Sequence, residues 1–389
     1  MDRKSVHSLV HKTVRLHGRL TTAMGSRNAG DEVVVETPAK PIYQSLTGLK
    51  ETMKGLLGRK ATCVNEIGWA MQGSSCQDET DQFYRFMEEL KEGPFRCNSE
   101  QMLAYSYLLV PGLFCNSYPT YFKEILAYFQ NVLGVQCEFA QINTEGSVKD
   151  NAIAVRDIVL AQYEQFGKQV VLLGHSKGGT DAAAMCAMFW GELKDKVRGL
   201  VMLQAVYGGT PLAEDLLGGG QFGALNSLFL GKVASFSNPD GTVDAFKDLT
   251  YKNRHAFLEE YPLPRDVPTL CFHSNFPPDS KTRFKKYVMK ENFLNGMLEV
   301  PLEMQLGRQL SVTSKYVLSK YPGEESDGLI TRKDAEVPGS VVVKYREDLA
   351  HTLVIPEKAP PDQSTDVGPD HLDARHVCQA CVLLLLATR

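Results

Sequence analysis

The chain has 389 residues, 43% hydrophobic and 23% charged, which is ordinary globular composition and enough length for one large α/β domain with insertions or two smaller domains. A net charge of −4 supplies no basic field for nucleic acid or an anionic membrane, and no apolar run reaches the roughly 18 residues of a membrane span. Nine cysteines, an odd number in a chain without a secretory h-region, exclude a fully paired disulfide framework and read mostly as small buried hydrophobes.

Residues 1–40 carry Arg3, Lys4, Lys12, Arg15, Arg19 and Arg27 and end in the linker-like "TPAKP". They read either as an organellar transit peptide or as a disordered basic tail, and place the protein in the cytoplasm or an organelle. Residues 41–103 form an N-terminal helical segment. In "DETDQFYRFMEELKEG" the residues Phe83, Phe86, Met87 and Leu90 recur at helical spacing on one face.

From residue 104 to 389 strands and helices alternate. "YSYLLVPGLF" (105–114) and "GVQCEFAQI" (134–142) read as strands, and 147–167 as a helix with a Ser start and a Gly stop. "KQVVLLGHS" (168–176) is continuously apolar, as a strand covered on both faces must be, and 177–193 is helical. Further strands are expected at 197–207, 266–274 and 340–345. The alternation predicts an α/β fold with a doubly wound, mostly parallel sheet, interrupted by helical, lid-like insertions at about 212–265 and 277–326. "CVLLLLA" (381–387) belongs to a buried last helix. The Cys378–x–x–Cys381 pair lies in that apolar segment with no second pair at ligand spacing, which argues against zinc.

The chemistry concentrates in "LLGHSKGG". Gly174-His175-Ser176-Lys177-Gly178 fits G-x-S-x-G, with a strand before it and a helix after it. The glycines remove Cβ atoms that would block a sharp strand-to-helix turn, and the turn exposes Ser176 beside a helix N-terminus. A serine nucleophile needs a base, and the base needs an acid to orient it. Of His255, His273, His351, His371 and His376, His351 is favoured because it follows the last strand in a loop. For the acid, Asp327 in the turn "SDGL" is favoured over Asp279, with Asp334 and Asp348 as weaker alternatives. Backbone N–H groups of Lys177 and of Leu113 or Phe114 are the candidate oxyanion donors. The Lys177 side chain is expected to point to solvent.

"VPGLF", "LLGHSKGG", "YGGTPLAED", "SDGLIT" and "DLAH", in this order over residues 104–387, resemble the lipase-like branch of the α/β-hydrolase superfamily. Within it they are similar to plant-type lipase/esterase-like proteins that carry GHSKGG followed by YGGTP. The resemblance implies an eight-stranded hydrolase sheet, a triad of Ser176, Asp327 and His351, and no metal or organic cofactor. It assigns Gly209, Thr210 and Pro211 a structural part before a lid. The expected activity is hydrolysis of carboxylic esters with apolar acyl groups, on a small-molecule ester or lipid met in solution or by peripheral membrane contact. Acyl transfer on the same residues, and a ligand receptor or scaffold with a hydrolase fold, are the alternatives.

Overall fold

The computed structural model describes residues 65–97, 99–115, 120–217, 244–276, 320–355 and 373–387. Its strands are β1 (Gln77–Asp78), β2 (Ser106–Val110), β3 (Gln136–Phe139), β4 (Val170–His175), β5 (Val197–Leu203), β6 (Thr269–Asn275) and β7 (Val341–Asp348). They form one seven-stranded, wholly parallel sheet in the order β1-β7-β6-β5-β4-β2-β3.

Both faces of the sheet are buried, and the period of two sorts each strand between two cores. Val171 and Leu173 of β4, Val201 and Leu203 of β5, and Leu270 and Phe272 of β6 enter one core. Their neighbours Val170, Leu172, Leu200, Met202 and Cys271 enter the other. Each such Leu or Val withdrawn from water contributes about 1.5–3 kcal/mol, which is why these strands read as unbroken apolar runs.

The first core is covered by α1 (Thr80–Lys91), α2 (Lys123–Asn131) and α8 (Ala374–Ala387). The second is covered by α3 (Val148–Phe166) and α4 (Lys177–Leu193). Local chemistry sets the ends of α3: the Ser147 hydroxyl accepts the Asp150 N–H, and Gly167 closes the helix. Cys378 and Cys381 are fully buried in α8, and burial pushes the Cys378 thiol above its ordinary range. None of the eight cysteines among the described residues is joined to another of them by a disulfide.

Three differences from the sequence reading matter. The resemblance implies eight strands, and seven are present among the described residues. One of them, β1, lies in the segment read as helical: it has two exposed residues, too few for any periodicity, and pairs with Val341 and Val342. The insertion at 212–265 is not all cap. Its helix α6 (Tyr251–Glu260) packs Phe257 into the second core, whereas α5 (Pro211–Leu217) joins a separate cluster with Val206, Phe246 and Ile330. Most of the 277–326 insertion, and the whole of 1–40, lie outside the described residues. No described helix is long and apolar enough to cross a membrane.

Candidate active site

Strand order reverses between β4 and β2, and in an open parallel sheet the crevice at the carboxyl ends of two such strands is where ligands bind. Ser176 follows β4 there, and Gly112 follows β2. Ser176 has φ 57° and ψ −131°, a strained conformation of the kind that costs about 1–3 kcal/mol and persists only where the surroundings enforce it. Its N–H donates to the Leu203 carbonyl at 3.0 Å, and its own carbonyl accepts from Gly179 N–H at 3.1 Å. The glycines are required sterically. A Cβ on Gly178 would lie 2.3 Å from the Val110 carbonyl oxygen, and one on Gly174 would lie 2.5 Å from Gly179 Cα.

His351 lies in the loop after β7 and is buried, as is Asp327. His351 Nδ1 is 2.7 Å from Asp327 Oδ2, and the His351 backbone N–H donates to the Asp327 carbonyl at 3.0 Å. The other carboxylate oxygen, Oδ1, accepts the N–H groups of Leu329 and Ile330, each at 3.0 Å. The turn after Asp327 thus fixes the carboxylate, and the carboxylate fixes the imidazole. His351 Nε2 is buried with no hydrogen-bond partner, so that nitrogen is free to take a proton. The His351 ring is 4.8 Å, centroid to centroid, from the ring of His175, the residue immediately before Ser176.

Gly112 packs directly on the serine. A Cβ there would stand 2.7 Å from Ser176 Cβ and 2.8 Å from both the His175 carbonyl oxygen and Tyr121 Oη. The next residues, Leu113 and Phe114, pack against the cluster containing Val206, Phe246 and Ile330. Phe114, two residues after Gly112, has φ 62° and so is also a non-glycine residue in the left-handed region. The Lys177 amide opens α4, but its side chain does not reach solvent as expected. Lys177 is fully buried, with Nζ 2.9 Å from both oxygens of Asp181. Asp181, one turn along α4, also accepts from Asn151 Nδ2 at 2.8 Å, so the cation is turned inward by a buried partner.

The other candidates lie elsewhere. His255 pairs with Glu66 at 2.9 Å and stacks on Trp69. His273 is buried in β6, 3.5 Å from Glu336. His376 sits beside Asp373 and against the Tyr128 ring, and His371 and Asp279 lie outside the described residues. Asp348 is at the exposed end of β7. Asp334, in the short helix α7 (Arg332–Ala335), is buried under Gly68 N–H, Thr331 and Tyr251. Thr210 donates to the Leu329 carbonyl, which ties the "GTP" segment to the Asp327 turn.

Sequence reasoning missed Tyr121 and Gln204. Both are buried, and both hydrogen-bond to the His175 ring. The signal for Gln204 was a lone amide directly after the apolar run "VMLQ"; for Tyr121 there was none. No group of three or more His, Cys, Asp or Glu side chains is arranged to hold a metal among the described residues.

No protein-family model matches the chain. No curated protein matches it in sequence. Among solved structures it is similar to the metagenomic carboxyl esterase MGS0156, with a TM-score of 0.54 and 17% identity over 88% of this chain and 98% of that one. It also matches Bacillus licheniformis lipase BlEst2 in mature form, with a TM-score of 0.48 and 18% identity over 65% of this chain and 87% of that one. Lipase 1 from Pelosinus fermentans matches with a TM-score of 0.45 and 13% identity over 74% of this chain and 100% of that one. Together with the parallel sheet and its flanking helices, the first likeness establishes the α/β-hydrolase fold.

Proposed function

We propose that the chain is a serine hydrolase of carboxylic esters. In this reading Ser176 Oγ attacks the ester carbonyl carbon while its proton passes to His351 Nε2. The negative charge that develops on the carbonyl oxygen is held by the backbone N–H groups of Lys177 and Leu113, each such donor contributing about two to three orders of magnitude in rate. The imidazolium, stabilised by Asp327, protonates the departing alkoxide as the ester C–O bond breaks, leaving an acyl-serine. Water, deprotonated by the same imidazole, then attacks the acyl carbon, and Ser176 leaves with that proton.

The observation that carries the reading is the 2.7 Å contact of His351 Nδ1 with Asp327 Oδ2, with Nε2 of the same ring unpartnered. The strained Ser176 turn and the carboxyl esterase MGS0156, which shares the fold, point the same way. For the substrate, Leu113 and Phe114, which directly follow the Gly112 that packs on Ser176, join an apolar cluster with Leu217 and Leu329, which supports an apolar acyl group. The test is hydrolysis of p-nitrophenyl esters from acetyl to palmitoyl by wild type, Ser176→Ala and His351→Ala. We expect turnover in wild type only, with a chain-length optimum beyond acetyl. Equal turnover in wild type and Ser176→Ala would refute the assignment of the nucleophile.

A further inference from the structure

Four buried polar side chains outside the proposed triad connect its separate parts. Gly112 N–H donates to Tyr121 Oη at 3.0 Å, and Tyr121 Oη is 2.5 Å from His175 Nδ1. On the other side of the ring, His175 Nε2 is 3.2 Å from Gln204 Oε1. Gln204 Oε1 also receives Leu353 N–H at 3.3 Å, while Gln204 Nε2 donates to the Ala350 carbonyl at 2.9 Å and to Ser274 Oγ at 2.6 Å.

The backbone partners fix the orientation of the Gln204 amide. A carbonyl only accepts and an N–H only donates, so Ala350 and Leu353 determine which end of the Gln204 amide is oxygen. That oxygen can only accept from His175, so the hydrogen of His175 is on Nε2. In the neutral ring Nδ1 is then a bare acceptor, and the Tyr121 hydroxyl donates to it.

We infer that Tyr121, His175 and Gln204 form a neutral, one-directional hydrogen-bond relay that sets the distance between the oxyanion loop at Gly112 and the loop carrying His351. They are positioning residues, and the inference rests on the ester-hydrolase reading. Gln204 holds the chain on both sides of His351, at Ala350 and at Leu353. Tyr121 holds the amide next to Leu113. His175 bridges the two and is bonded covalently to Ser176. Backbone at both ends reinforces the arrangement: Phe122 N–H donates to the Val354 carbonyl at 2.9 Å, and Gln204, with φ 47°, is itself held in the left-handed region.

Neutrality is part of the design. Among the described residues, the groups in contact with the His175 ring are Tyr121, Gln204, the Phe122 ring and His351, and none of these is an anion. Burial and the nearby His351 both push its pKa well below the ordinary histidine range. A second cation 4.8 Å from His351 would oppose the imidazolium that the reaction requires.

The test pairs a spectroscopic readout with a kinetic one. Long-range ¹H–¹⁵N spectra of the histidine rings, with His175→Gln for assignment, are expected to show His175 as the neutral Nε2–H tautomer from pH 5.5 to 8. Tyr121→Phe is expected to shift its Nδ1 resonance. The same variant should slow both fluorophosphonate labelling of Ser176 and ester kcat by ten- to a hundred-fold, with KM and thermal midpoint little changed. Gln204→Leu should lower kcat similarly. A His175 that titrates near 6.5, or carries its proton on Nδ1, overturns the relay. Wild-type rates in a folded Tyr121→Phe overturn its positioning role. A wild-type protein that neither labels nor turns over any ester removes the hydrolase reading, and the positioning role with it, whatever the tautomer.

Discussion

Asp327 and His351 are joined twice: side chain to side chain at 2.7 Å, and His351 N–H to Asp327 carbonyl at 3.0 Å. The backbone bond keeps the two turns together even when the side chain is altered. Asp327→Asn should therefore fold normally. It should lose about 10³–10⁴-fold in kcat with KM little changed, because the amide no longer enforces the tautomer that leaves Nε2 bare. Steady-state kinetics on one p-nitrophenyl ester checks this, and a loss under ten-fold would contradict the assigned acid.

The two ends of the serine helix respond oppositely to the same change. Gly178→Ala forces a Cβ to within 2.3 Å of the Val110 carbonyl, so backbone must move, and we expect a loss of several kcal/mol or failure to fold. Gly191, in the last turn of α4, has nothing within 4 Å of where its Cβ would be. Gly191→Ala should gain up to about 1 kcal/mol from helix propensity. Urea unfolding of both variants separates the cases.

The buried Lys177–Asp181 pair should show strong coupling. Lys177→Met leaves the Asp181 carboxylate without its cation and should cost about 3–5 kcal/mol, whereas the double change Lys177→Met with Asp181→Leu should cost much less. A double-mutant cycle in urea checks this. Additive losses would mean that the pair contributes no coupling.

Asp334 gives stability a pH dependence. Burial, partly offset by the donors from Gly68, Thr331 and Tyr251, raises its pKa from an ordinary 3.8 to about 7 in the fold. The folded state therefore favours the protonated acid. Its contribution is complete below about pH 4, declines as pH rises, and is lost once pH passes about 7. Asp334→Asn stays neutral throughout, so wild type should lose stability relative to the variant between pH 4.5 and 7.5. Parallel stability profiles would contradict this.

Much of the fold was legible because its signals are local. The apolar strands β4 and β5 are buried on both faces, so pattern and burial coincide, and α4 has the bounds that its sequence suggested. The Ser176 turn was legible because steric demands impose glycine at fixed offsets from the serine. What escaped depends on contacts distant in sequence. Lys177 looked like a surface lysine because its partner, Asp181, is buried only once α3 brings Asn151 against α4. β1 exists only through pairing with β7, and Tyr121 acquires its role from His175, 54 residues away.

Every role proposed for the site depends on Ser176 being the nucleophile. The decisive measurement is labelling of the folded protein with a fluorophosphonate, followed by mass-spectrometric mapping of the modified peptide in wild type, Ser176→Ala and His351→Ala. We expect one adduct, on Ser176, absent in the first variant and formed far more slowly in the second. A folded wild type that takes no label, or takes it on another serine, would contradict the account.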